Sequence, residues 1–233
     1  MSIPASADAT LYQSGTGDLA NGAGENIFAG VTAQGAIRRA LISFDLAGSL
    51  PAGATITSVR LVLFMNQGRL APAAIHQVLG SWSEGSVNAG GAEGQGAAAT
   101  AGSTTWIHRD RPGSTWITSG GDFASIASAS ADITSTGFVS WTGAGLLADV
   151  QEWQTQPETN FGWAILGTEF QPQTANRFAS RTSPASANRP ALVVDYTPIP
   201  EPSSVAGLAL TSILFQCARH RTRRPRLTAG ARS

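Results

Sequence analysis

Two stretches of regularly alternating apolar and polar side chains constrain the fold more than any other feature of this sequence. Within 37–46 and 55–65, every second residue from 40 to 46 and from 59 to 65 is apolar, namely Ala40, Ile42, Phe44 and Leu46 in the first stretch and Val59, Leu61, Leu63 and Met65 in the second. Successive side chains of a β-strand point to opposite sides, so each stretch predicts a strand with one buried face. Pro51 and Gly53 between them predict a turn, because both residues interrupt strand pairing.

Shorter stretches of the same kind predict further strands. They are residues 10–13, 26–29, 74–79, 133–141, 162–167, 177–181 and 191–197. Roughly ten strands with irregular loops are typical of an all-β, two-sheet sandwich. Residues 146–153 differ, because their apolar side chains recur at helical spacing: Leu146, Leu147, Val150 and Trp153. They predict one short helix across an end of the sandwich.

The composition excludes several kinds of chemistry. All 15 basic residues are arginine, which excludes lysine Schiff-base catalysis. The single cysteine, Cys217, leaves residues 1–198 without a disulfide or a thiolate metal site. Residues 1–198 hold 9 Arg against 14 Asp and Glu, whereas residues 199–233 hold 6 Arg against one Glu. This acidic body argues against binding to the phosphate backbone of nucleic acids.

Residues 84–104 begin with Glu84 and continue as a low-complexity run rich in Gly and Ala. Such a segment buries too little apolar area to offset the entropy that it loses on ordering. We therefore predict a mobile surface loop in this part of the chain.

Four groups of short motifs extend over residues 8–198. They are RRALISFDL at 38–46 with LPAGATI at 50–56; WSEG at 82–85; Trp106 and Trp116 with GGDF at 120–123; and DVQEW at 149–153, NFGW at 160–163 and RFASR at 177–181. In order and spacing they resemble the DNRLRE family of bacterial cell-surface domains, which is related to the disaggregatase-related repeat. The resemblance implies a jelly-roll-like antiparallel sandwich, close to that of several carbohydrate-binding modules. Because the family has no single catalytic set, the resemblance implies no catalytic residues.

Residues 199–233 have the composition of a sorting signal. They contain Pro200, Glu201 and Pro202, then an apolar run at 205–217, and then Arg219, Arg221, Arg223 and Arg224. The two prolines hold the backbone extended, which suits binding by a protease. The apolar run is shorter than the roughly 20 residues that span a bilayer, although arginines at its end can snorkel. Those arginines predict that this end stays cytoplasmic.

This order of elements resembles the PEP-CTERM sorting signal of Gram-negative bacteria, which an exosortase cleaves. The resemblance implies an exosortase-type partner and transient membrane passage through residues 203–218. It also implies a final location at the cell surface or in the extracellular matrix. The alternative is a Pro-rich linker and a C-terminal helix packed on the domain.

The predicted organisation has three parts: a short N-terminal segment at 1–7, the sandwich domain at 8–198 and the tail at 199–233. Export needs a signal peptide, and residues 1–7 have neither its basic nor its apolar stretch. We therefore expect the true start codon to lie upstream.

Aromatic and arginine side chains near the predicted loops are candidates for a glycan site. The set is Trp82, Trp106, Arg109, Arg111 and Trp116. The aromatic faces would stack on sugar rings, and the guanidinium groups would bond to an acidic glycan. An equally good interpretation places these tryptophans in the core beneath the long loop. The main core is expected to contain the other three tryptophans, Trp141, Trp153 and Trp163. The neighbours Arg38 and Arg39 are expected to face opposite sides of a strand, so one of them could line a groove on a sheet face.

A structural Ca²⁺ is a candidate cofactor, because this ion binds clustered oxygen ligands. Its predicted ligands are Asp8, Asp18, Asn21, Glu25 and Asp195. Two histidines are candidate catalytic bases: His76 in a strand-like run, and His108 beside Arg109 and Asp110. No nucleophile motif accompanies either, so we predict no catalytic residue.

Three functions are compatible with these features. We favour a non-enzymatic, exported protein of the cell surface or extracellular matrix that contacts exopolysaccharide. The alternatives are a carbohydrate-binding module with a Trp/Arg glycan site, and a polysaccharide-active enzyme.

Overall fold

A computed structural model describes residues 1–51 and 53–198, and the predicted all-β sandwich with one short helix is confirmed. The strands are β1 Ser2–Tyr12, β2 Leu19–Ala20, β3 Asn26–Val31, β4 Ile37–Phe44, β5 Thr55–Gln67, β6 Ala73–Gln77, β7 Ala97–Ala98, β8 His108–Asp110, β9 Ser114–Thr115, β10 Ala129–Ala131, β11 Gly137–Thr142, β12 Trp163–Leu166, β13 Asn176–Ala179 and β14 Ala191–Thr197. The helix α1 covers Ala144–Thr155. The predicted sorting tail lies outside the described residues.

Two antiparallel sheets form the layers of the sandwich. Sheet I is built around β5, which pairs with β14 and then β13 along one edge and with β11 along the other. Sheet II runs in the order β1, β4, β12, β6, β10. The strands β1 and β3 start in sheet I and end beside β4 in sheet II, so the two layers share both strands.

The main core lies between the sheets and contains all the alternating apolar residues of 37–46 and 55–65. Trp141, Trp153 and Trp163 are fully buried there, as predicted. The helix closes one end of the core through its predicted apolar face. The side-chain amides of Gln151 and Gln154 anchor it by donating to the carbonyl oxygens of Ile56 and Ala54, each at 3.0 Å.

The sandwich begins earlier in the chain than the predicted start at residue 8. Residues Ser2–Pro4 pair with β14 in sheet I, and Ile3 is buried in the main core. Pro4 and the small residues that follow it obscured the strand signal, because they supply neither apolar bulk nor β-branching. Residues 1–7 are therefore part of the sandwich.

A long insertion, residues 79–128, covers the outer face of sheet II. Leu11, Leu41 and Ala164 on that face form a second apolar cluster with Val78 and Trp116. Five partly buried side chains pack against this cluster: Trp82, Trp106, Phe123, Phe161 and Leu166. Sheet II is consequently covered on both faces over this area, by the main core and by the insertion.

Residues 84–104, predicted to be a mobile surface loop, instead make specific contacts with the sandwich. The carboxylate of Glu93 accepts hydrogen bonds from both the backbone and the side-chain amide of Asn26, from the backbone of Glu25 and from the side chain of Asn21, at 2.8–3.3 Å. The short strand β7 pairs with β2. The composition misled the prediction because polar contacts, rather than buried apolar area, hold this segment.

Candidate ligand-binding groove

A groove of about 620 Å³ lies at the surface of the insertion. This volume is in the usual range of small-molecule sites. Its lining includes Arg39 of β4, Leu79 at the start of the insertion, Arg109 of β8, and Ile117, Asp122 and Phe123 from the turn region after β9. Separate segments of the insertion therefore meet over one residue of sheet II.

Arg39 is the fixed floor of the groove. Its Nε and Nη2 atoms donate to the two carboxylate oxygens of Glu169 at 2.7 and 2.8 Å, and Nη1 donates to the carbonyl oxygen of Gly120 at 2.8 Å. Its guanidinium carbon lies 5.0 Å from the ring centre of Trp106 and 5.1 Å from that of Phe123. The bidentate pair with Glu169 fixes the guanidinium, and the cation–π contacts of that guanidinium hold both rings in place.

The GGDF motif forms the turn that carries Phe123. The carboxylate of Asp122 accepts hydrogen bonds from the backbone amides of Ile117 and Thr118, both at 2.8 Å. Gly120 has φ +96°, and a Cβ there would come within 2.6 Å of Arg39 Nη1, so only glycine fits. The motif is therefore structural, and it leaves Asp122 with its carboxylate already engaged.

Arg109 is the cation of the groove that lacks an acidic partner. Among the described residues, no carboxylate lies within salt-bridge distance of its guanidinium, and its only side-chain hydrogen bond runs from Nη1 to Ser81 Oγ at 3.5 Å. Leu79 is 58% exposed and Ile117 is 94% exposed beside it. The groove thus offers one available guanidinium, an aromatic ring and two accessible aliphatic side chains.

The predicted glycan residues are only partly brought together. Trp116 is 5% exposed and donates its Nε1 to the carbonyl oxygen of Thr105 at 3.0 Å, while Trp82 Nε1 donates to Phe161 at 2.8 Å. With Trp106 beneath Arg39, all three tryptophans pack against the second apolar cluster. Arg109 alone of the predicted set lines the groove, although Trp82 borders a small adjoining cavity of about 100 Å³.

Several residues of the groove were missed. Phe123 is the last residue of the GGDF motif and Leu79 the last residue of the predicted strand 74–79, but neither was predicted to line a site. Ile117 was not part of any prediction. The opposite facing of Arg38 and Arg39 is confirmed, and Arg39 is the one that lines the groove. Arg111 instead pairs with Asp18 at 3.3 Å, and His108 Nδ1 lies 3.6 Å from the same carboxylate.

The predicted Ca²⁺ ligands are not gathered around one point. Asp18 pairs with Arg111, Asn21 donates to Glu93, and Asp195 accepts from Ser58 Oγ at 2.6 Å on sheet I. Within residues 1–51 and 53–198, no group of three or more His, Cys, Asp or Glu side chains is placed to hold a metal ion. The Ca²⁺ site stays a prediction without support from this geometry.

Asp8 lies in a buried acidic pair instead. It is 1% exposed, its carboxylate accepts from the backbone amide of Arg181 at 2.6 Å, and its own amide donates to Glu84 at 2.8 Å. The guanidinium of Arg181 binds Glu84 through two hydrogen bonds. Burial, with a smaller contribution from Glu84, raises the pKa of Asp8 from 3.8 to about 7, against the opposing effect of Arg181.

None of the helices described in this structure is both long enough and apolar enough to cross a membrane. Comparison of the chain with models of known protein families gives no match, and comparison with curated proteins gives none either. The resemblances to DNRLRE domains and to PEP-CTERM signals therefore remain predictions.

The raised pKa of Asp8 predicts a specific pH dependence of stability. Between about pH 4 and pH 7 the folded protein keeps a proton that the unfolded chain has lost, so the free energy of unfolding falls as the pH rises. The slope approaches about 1.4 kcal/mol per pH unit. In urea unfolding at several pH values, the difference in free energy of unfolding between wild type and Asp8→Asn should change with pH by up to this slope across the window.

The matched control is Asp195→Asn, which removes an exposed carboxylate from β14. This variant should keep the slope of the wild type. If Asp8→Asn follows the wild type in parallel across the whole window, Asp8 does not hold the proton.

Proposed function

We propose that the protein is a non-enzymatic, exported protein of the cell surface or extracellular matrix that binds polysaccharide in the groove around Arg109. The observation that carries the proposal is the combination of Arg109, Phe123 and the exposed Leu79 and Ile117 in one cavity of about 620 Å³. Sugar rings have apolar faces that pack on such side chains, and their hydroxyl or carboxylate groups accept from guanidinium. The proposed export rests on the resemblance of residues 199–233 to a sorting signal.

The acidic residues of the groove favour binding over hydrolysis. Glycosidases of the common type use two carboxyl groups on either side of the scissile bond. Among the described residues that line this cavity, Asp122 is the only Asp or Glu, and two backbone amides already occupy its carboxylate. An acid–base pair would need a second carboxyl group beside it.

The binding test uses the full-length chain on a glycan array, followed by titration calorimetry with a polysaccharide that binds. Arg109→Gln should weaken binding by about tenfold or more, the effect of losing one charge-assisted hydrogen bond. Arg111→Gln removes the same charge two residues away, outside the groove, and should leave the affinity unchanged. The absence of binding to any glycan on the array, or an equal loss of affinity from the two substitutions, would contradict the proposal.

The export test follows the chain when it is expressed from its native locus. Fractionation should recover it outside the cytoplasm and shortened at its C-terminus, because an exosortase-type enzyme cuts near Pro200–Pro202. Replacing Pro200 and Pro202 by alanine should leave the chain uncut. Recovery of the uncut wild-type chain from the soluble cytoplasm would rule out the sorting function.

A further inference from the structure

A second cavity, which shares no lining residue with the groove, is positively charged. It measures about 240 Å³ and is lined by residues of β3, β4, β13 and the 92–95 segment of the insertion. Two arginines, Arg38 and Arg177, contribute to its wall, and no Asp or Glu does among residues 1–51 and 53–198. Residues 1–198 hold 9 Arg against 14 acidic residues, so this pocket is a local reversal of the charge of the body.

Arg38 is buried, and it has no counter-ion among the residues that the structure describes. It is 3% exposed, and its guanidinium donates only to backbone carbonyl oxygens: Nε to Gly94 at 3.0 Å, and Nη1 to Gln13 at 3.2 Å and Ile37 at 2.9 Å. Its charge lies 4.9 Å from the ring centre of Tyr12. Within the described part of the chain, no carboxylate lies within 4.0 Å of it, and Nη2 has no acceptor.

A buried charge of this kind is costly. Desolvation disfavours a guanidinium that has only neutral partners, and a bound anion would compensate for much of that cost. The same burial lowers the pKa of Arg38, against a lesser opposing effect of Tyr12. An arginine nevertheless stays protonated, so the charge persists and needs a partner.

Arg177 supplies a second guanidinium at the rim. Its Nε donates to Asn66 Oδ1 at 2.6 Å, and its two Nη atoms have no acceptor among the described residues. Two arginines with unused donors match the two oxygens of a carboxylate, which binds such groups through paired hydrogen bonds. The pocket therefore favours a planar anion over a neutral ligand.

The rest of the wall suits a saccharide that carries such an anion. The side-chain amides of Gln67 and Gln95 line the pocket and have no hydrogen-bond partner among the described residues, so they are available to hydroxyl groups. Phe28 contributes an apolar wall for a ring face. A small inorganic anion would leave these groups unused.

We propose that the Arg38–Arg177 pocket binds the carboxylate of a hexuronate, a single acidic sugar unit. The preference for a carboxylate follows from the two arginines alone. The identification of its carrier as a sugar rests on the proposed polysaccharide function. It would make the protein a binder of acidic polysaccharide, with one contact in this pocket and another in the groove.

Titration calorimetry of the full-length chain at low salt tests the pocket with three probes: methyl glucuronide, the neutral methyl glucoside and acetate. Methyl glucuronide should bind at least tenfold more tightly than either of the others. Arg177→Gln should weaken its binding about tenfold, whereas Arg69→Gln, an exposed arginine next to the pocket residue Gly68, should have no effect. Arg38→Gln tests the buried charge directly where that variant folds.

The outcomes separate this inference from the proposed function. Equal binding of methyl glucuronide and methyl glucoside, equal binding of acetate, no binding, or an unchanged affinity in Arg177→Gln would overturn the pocket. Arg109→Gln should leave methyl glucuronide binding unchanged, since Arg109 belongs to the groove. If methyl glucuronide does not bind but polysaccharide does, the proposed function stands and the pocket is ruled out. If methyl glucuronide binds as predicted but no polysaccharide binds on the array, the pocket stands and the proposed function is ruled out.

Discussion

The packing of the insertion on the outer face of sheet II is the interaction on which both proposed sites depend. Trp116 lies over Leu11, Leu41 and Ala164, and Trp82, Trp106 and Phe123 complete the cover. Because these large side chains are used for packing, the insertion is held as a third layer. The groove around Arg109 lies within this layer, and the Arg38–Arg177 pocket lies where its 92–95 segment meets the sandwich.

A few buried polar groups fix the part of the insertion that has almost no apolar bulk. Glu93 binds four donors from residues 21–26, and Glu84 binds Arg181 and the amide of Asp8. Hydrogen bonds to a charged acceptor are each worth about 1.5–3 kcal/mol, which compensates for the ordering of small residues. The Tyr12 hydroxyl adds a hydrogen bond to the carbonyl oxygen of Glu93 at 3.0 Å. The carboxylates of Glu84 and Glu93 therefore hold residues 84–104 on the sandwich by hydrogen bonds, whereas a strand is held by its buried apolar face.

Sequence reasoning predicted the sandwich because its signal is local. The alternation in β4 and β5 and the helical spacing in α1 specify which side chains are buried, wherever the partner strands lie. It failed where the cause is a contact between distant residues: Glu93 with Asn26, or Asp8 with Arg181. One signal was present, since Leu41 is apolar on the face of β4 that otherwise carries Arg39 and Ser43. It indicated a covered outer face. The groove needed the same long-range knowledge, because Leu79, Arg109 and Phe123 meet only after the insertion folds back.

Amide hydrogen exchange of the full-length chain tests most directly whether the insertion is a fixed layer. The backbone amides of Ala99, Thr104, Arg111 and Trp116 donate to carbonyl oxygens of Asp18, Ser83, Ser103 and Ile107 at 2.8–3.0 Å. These amides should exchange as slowly as those of β4, because opening them requires the second apolar cluster to separate. Exchange of all four at the rate of an unfolded chain, with β4 still protected, would contradict the account, since both proposed binding sites need the insertion in place.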